Sequence, residues 1–174
     1  MNIFKIVLVV LVVVALQGAF SRYISQIDYT DLTLIVAVYL SLKRNPLQGT
    51  LVGCLAGLSY DAVVGGPLLG ASGFAKTLIG FTLSTINVHF AIDRKLMRLF
   101  MVILASAVNV LIFLGLYGLF DSQASLPISS TPSEIGKLTA FQAAGNLILA
   151  FFIFPILDKV FAEEPYVGGR RARI

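Results

Sequence analysis

Charge is scarce in this chain. Of its 174 residues only 13% are Asp, Glu, Lys or Arg and 57% are hydrophobic, whereas an average soluble domain is about 25% charged. So little polar surface cannot solvate a globule of this size, which excludes a sizeable water-exposed catalytic domain. Tryptophan is absent, and there is one histidine, His89, and one cysteine, Cys54. A lone cysteine excludes an intrachain disulfide and a thiolate zinc cluster, and it leaves the redox compartment undetermined. One histidine beside one cysteine provides no transition-metal site, and no motif calls for a cofactor. The net charge of +4 suggests nucleic acid at first sight. The basic residues, however, flank apolar runs and form no patch with interleaved aromatics, so nucleic acid is not an expected partner. No repeat is seen at solenoid or propeller periods.

What the chain has in abundance is long apolar runs, with a mean hydropathy of +0.91. A bilayer core needs about 20 apolar residues per helix, with about 17 to 25 tolerated. Six predicted spans follow, at about 3–20, 31–42, 47–64, 71–90, 96–120 and 138–161. The expected fold is all-α: a single polytopic bundle over 1–174, with six transmembrane helices and short loops. The second span is the short one, because its apolar core reaches only about 17 Å at 1.5 Å per residue. It has to borrow from Ile27 to Asp31, tilt little or sit in a locally thinned bilayer.

Charge placement tests the count, since short cytoplasmic loops carry excess Lys and Arg. With the N-terminus inside, the inner segments hold Lys5, Lys43, Arg44, Arg94, Lys95, Arg98, Lys159, Arg170, Arg171 and Arg173, and the outer ones only Arg22 and Lys137. Dropping the second span strands Lys43 and Arg44 on the wrong face. The pattern fits six crossings with both termini cytoplasmic. Lys5, the apolar run after it and Ala19-Phe20-Ser21 also resemble a secretory signal; cleavage there leaves the other five spans oriented as before. From Asp121 to Gly136 the sequence reads as an outer polar loop marked by Pro127 and Pro132.

Several features depart from a plain apolar bundle. Gly49, Gly53 and Gly57 recur at four-residue spacing, with Asp61 next in the series, so one helix face forms a groove for close backbone approach. Either a helix of the same bundle or a partner's spanning helix fills it. A weaker stripe runs through Gly136, Ala140 and Ala144, while Asn109 and Asn146 are placed for interhelical hydrogen bonds. Asp61 and Lys76 are the ionisable residues set deepest in apolar sequence. They flank a turn containing Gly65, Gly66, Pro67 and Gly70, and either pair with one another or reach interfacial water separately. Gly70-Ala71-Ser72-Gly73 matches the GxSG pattern of rhomboid-type intramembrane proteases, but the histidine base that chemistry needs is missing. His89 lies 17 residues along the same span, roughly 25 Å away, and reads as part of the inner interface with Arg94, Lys95 and Arg98. With no base for the serine and no paired carboxylates, an enzyme is not expected.

The run from Gly49 to Asp61, followed by Gly66-Pro-Leu-Leu-Gly70 and Lys76-Thr-Leu-Ile-Gly80, resembles the central region of the rod shape-determining MreD family. The likeness covers about 35 residues; the remainder agrees in length and hydropathy. The resemblance implies a multi-pass, non-enzymatic scaffold in the bacterial cytoplasmic (inner) membrane. It implies binding to the bitopic protein MreC, and coupling of the MreB cytoskeleton to peptidoglycan synthesis by the glycosyltransferase RodA and its transpeptidase. Asp61, Pro67 and Gly70 match motif positions of the family, which gives them no ligand role. A second class, the substrate-binding membrane subunit of an energy-coupling factor type vitamin transporter, requires polar groups converging on a small molecule. The groups available for that are Asp61, Lys76, Asn109 and Asn146.

Overall fold

In the computed structural model, residues 3–23, 30–65, 68–90, 94–120 and 132–161 are described. They form six α-helices: α1 Ile3–Tyr23, α2 Leu32–Leu42, α3 Pro46–Val63, α4 Ala71–Phe90, α5 Lys95–Phe120 and α6 Pro132–Val160. No strand occurs among the described residues. By length and composition α1, α5 and α6 are each apolar enough to cross a membrane, with windows at Phe4–Ser21, Lys95–Leu116 and Ile135–Val160.

The organising element is the shortest helix. Every α2 residue from Thr33 to Leu42 is buried, and α2 alone touches all five other helices. Around it the neighbours run α1, α3, α4, α5, α6. Its sequence, LTLIVAVYLSL, is apolar on every side, as a helix enclosed on all sides must be. The five outer helices divide their faces instead. Ile6, Val10, Val14 and Gln17 form the buried stripe of α1, while Phe4, Leu8, Leu11 and Leu16 point outward. Exposed Phe74, Phe81, Phe100, Phe141 and Phe151 continue the apolar outer surface over α4, α5 and α6, as expected where lipid and not water is the solvent.

Two of the boundary differences from the sequence expectation matter for the packing. Asp31 is not part of α2 but its N-cap, with extended backbone and a side chain that accepts from the Leu34 N–H. An 11-residue helix rises only about 17 Å, so α2 by itself does not reach across a bilayer. At the other end of the chain, residues 133–136 belong to helix and not to loop. Pro132 occupies the first helical position of α6, where its fixed φ and missing N–H are no handicap. Between α2 and α3 only Lys43, Arg44 and Asn45 intervene, which folds the two helices antiparallel.

The α3–α4 hairpin is the closest contact in the molecule, and glycine is the reason. A Cβ on Gly49 would fall 2.5 Å from Ser84 Oγ, and one on Gly57 would fall 2.6 Å from Gly73 Cα. A Cβ on Gly53 would strike the Lys76 carbonyl oxygen. The whole Gly49, Gly53, Gly57 face is therefore filled by the backbone of α4, and no room is left on it for a partner's helix. The turn closing this hairpin uses Gly65 at φ 76° and Gly70 at φ 90°, a left-handed conformation that costs glycine nothing. Gly66 and Pro67 lie outside the described residues.

Candidate functional site

The head of α2 is set deep among the long helices. It hydrogen-bonds to Asn146, which stands 14 residues into the 29-residue α6. Asn146 in turn meets Ser106, 11 residues into the 26-residue α5. A helix that begins at this depth exposes unsatisfied N–H groups where no water is available, so protein groups must take them up. Two helices and the cap supply the acceptors. Gln17 of α1 accepts from the Leu32 N–H at 2.8 Å and donates to the Thr30 carbonyl at 2.9 Å. Asn146 Oδ1 of α6 accepts from the Asp31 N–H at 2.8 Å. Asp31 Oδ1 accepts from the Leu34 N–H at 2.8 Å and from the Thr33 hydroxyl at 2.6 Å.

Lys76 of α4 completes this cluster. Its side chain is fully buried, and Nζ lies 2.9 Å from Asp31 Oδ2. It also donates to Ser72 Oγ at 2.8 Å and sits 3.9 Å from the centroid of the Tyr60 ring on α3. The ion pair of Lys76 is thus with Asp31, on α2, and not with Asp61 across the turn; neither of the two sequence alternatives for Asp61 and Lys76 describes this arrangement. Asp61 Oδ2 instead accepts from the Gly73 N–H at 3.0 Å. Gly73 is in the first turn of α4, so Asp61 caps that helix from α3, placing a carboxylate at the positive end of the helix dipole. Asn146 Nδ2 donates to Ser106 Oγ at 2.9 Å. Through these contacts one polar network joins all six helices.

Ser72 and Lys76 form the one pairing here that looks like a nucleophile beside a base, and a lysine can replace the missing histidine in such chemistry. In this network the ammonium is a donor to both Ser72 and Asp31, which is the opposite of a base, and both side chains are buried. Asn109, expected to bond between helices, is buried with its Oδ1 unpaired. On α6, Gly136, Ala140 and Ala144 face outward, so that stripe packs against nothing in the described bundle. His89 is exposed at the end of α4, with Nδ1 2.9 Å from the Thr85 carbonyl oxygen.

A second cluster closes the opposite end of α2. Asp158 of α6 accepts from Tyr39 Oη at 2.7 Å, from Lys43 Nζ at 3.0 Å and from Arg98 Nη1 at 3.2 Å. Phe154 and Phe161 pack on the Tyr39 ring, with centroids 5.4 and 6.3 Å away. Here α2, α5 and α6 are held by one carboxylate.

The polar side chains of this site are spent on holding helices to one another, the arrangement of a structural protein. The sequence model for rod shape-determining protein MreD matches residues 1–160, which include all six helices. The chain belongs to the MreD family. Comparison with curated proteins and with solved structures gives no match. Members of the MreD family are shape-determining membrane proteins, and the present chain shares that general role. Within it, the segment from Gly49 to Gly80 is the α3–α4 hairpin with its glycine contact and its Asp61 cap. Asp31, Gln17, Tyr39, Ser106 and Asp158 were not singled out by sequence reasoning. Two of them carried a signal: Gln17 is the only amide in the first apolar run, and Asp31 stands as an N-cap immediately before the second.

Proposed function

We propose that this chain is a non-enzymatic scaffold of the bacterial cell-elongation complex. It lies in the cytoplasmic membrane with six crossings and both termini in the cytoplasm. It binds the bitopic protein MreC and couples the MreB cytoskeleton to peptidoglycan synthesis by RodA and its transpeptidase. The observation that carries this reading is the family match over residues 1–160. Two features support it. The basic residues gather at the end of the bundle where α2 finishes, around Lys43 and Arg98, as cytoplasmic ends do. Of the four groups available to orient a vitamin, Asp61, Lys76 and Asn146 have protein partners and serve rigidity, which leaves only the buried, unpaired Asn109 Oδ1, too few converging groups for a vitamin site. Because α4 fills the glycine face of α3, MreC must use another surface.

The test is purification of the full chain in mild detergent from rod-shaped bacteria. The expected outcome is that MreC co-purifies, and that cells depleted of the chain become round. A tightly held small molecule in place of a bitopic protein would favour the vitamin-transporter alternative and overturn the scaffold reading.

A further inference from the structure

One corner of the bundle concentrates positive charge at the border of the apolar surface. Arg94 and Lys95 open α5 and Lys159 lies in the last turn of α6; all three are exposed. Behind them Lys43 and Arg98 meet Asp158, and the contact from Arg98 to Asp158 ties the start of α5 to the end of α6. Asp158 is the sole carboxylate at this end among the described residues. Along the sequence Asp93 directly precedes Arg94, and Glu163 and Glu164 follow Lys159 by four and five residues.

The second feature is what borders these cations. Leu96, Phe100, Ile156 and Val160 are exposed large hydrophobics within one or two turns of Arg94, Lys95 and Lys159. In a membrane, the level where an outward apolar belt gives way to Lys and Arg is the headgroup level, because long basic side chains keep their stems in the apolar layer and their charges at its edge. A group of cations held at that depth meets lipid phosphates before any soluble anion.

We propose that the α5–α6 corner is a binding site for anionic phospholipid headgroups, with Arg94, Lys95 and Lys159 as its outer cations and Lys43 and Arg98 behind them. This rests on membrane embedding alone and holds whichever partner the scaffold binds. A cation near a membrane surface adds about fivefold to the attraction of an anionic lipid.

The experiment uses the full chain in nanodiscs of phosphatidylglycerol and phosphatidylethanolamine with matched acyl chains, with retained lipids counted by native mass spectrometry after release. The wild type is expected to retain phosphatidylglycerol at least about fivefold over phosphatidylethanolamine, with the preference shrinking as salt is raised. Arg94→Gln/Lys95→Gln/Lys159→Gln should bring the ratio close to parity, and Lys95→Gln alone should give a graded loss should the triple variant fold poorly. Lys137→Gln, exposed on the far half of α6, should change nothing. Parity in the wild type, an undiminished preference in the triple variant, or an equal loss in Lys137→Gln would each overturn the proposal. So would capture of an acidic polypeptide such as polyglutamate by the same cations without any lipid preference. Co-purification of MreC is scored separately on the same variants, so a failed lipid site and a failed scaffold reading remain distinguishable.

Discussion

Replacing Lys76 by methionine removes the ammonium from the head of α2 while keeping most of the side-chain volume. The Asp31 carboxylate then retains its contacts from the Leu34 N–H and the Thr33 hydroxyl, both on Oδ1, and loses its 2.9 Å partner on Oδ2. Breaking a buried pair from one side costs about 3–5 kcal/mol, a large share of a total stability of about 5–15 kcal/mol. Asp31→Asn should cost about as much for the reciprocal reason. Asparagine caps α2 as well as aspartate does, but Lys76 is left with Ser72 Oγ and the Tyr60 ring. Neutralising both at once restores a matched, uncharged interior, and replacing a buried ion pair in this way is often close to neutral. The double variant should therefore be more stable than either single one, with a coupling of at least about 2 kcal/mol. Asp61→Asn keeps an acceptor for the Gly73 N–H, so it should cost about 1 kcal/mol and couple to Lys76→Met much more weakly than Asp31→Asn does. The assay is the fraction of protein still monodisperse after heating in detergent, read for all members of both cycles. Additive losses for Asp31 and Lys76, or a larger coupling for Asp61 than for Asp31, would refute the assignment of the pair.

Glycine substitutions should separate sharply by position. Gly53→Ala drives a methyl into the Lys76 carbonyl and should lower stability by about 1–3 kcal/mol or more, whereas Gly115→Ala in α5 meets nothing within 4 Å and should be neutral or stabilising by up to about 1 kcal/mol; thermal denaturation of the two variants side by side checks this. Tyr39→Phe removes one hydrogen bond to Asp158 and keeps the ring against Phe154 and Phe161, so a loss of about 1–2 kcal/mol is expected, and a larger loss in the same melts would mean that the ring itself is displaced. For topology, reporters fused after Arg44, Lys95 and Ile174 should signal cytoplasm and fusions within Ser122 to Ser133 the outer face, and an outer signal after Arg44 would contradict six crossings.

The amino-acid sequence was sufficient for the class of fold and for the family. Apolar runs long enough for helices, scarce charge and a glycine spacing of four are local or periodic properties, and each has a meaning independent of the partner it meets. The face presented by Gly49, Gly53 and Gly57 was legible for the same reason: absence of a side chain at every fourth residue predicts close approach whichever backbone approaches. Which backbone it is, α4, depends on the hairpin register and only the tertiary structure decided it. The same holds for Lys76. Spacing placed it near Asp61, 15 residues away in sequence, yet its partner is Asp31, 45 residues away. The physical cause is α2. A helix too short to span, enclosed by five others, brings its unsatisfied head deep into the bundle, and the polar groups of α1, α4, α5 and α6 converge on it because no water can reach it. Gln17 and Asn146 stand out as polar within their apolar runs, but nothing local to them names the helix head they meet; that convergence exists only once the helices are packed together.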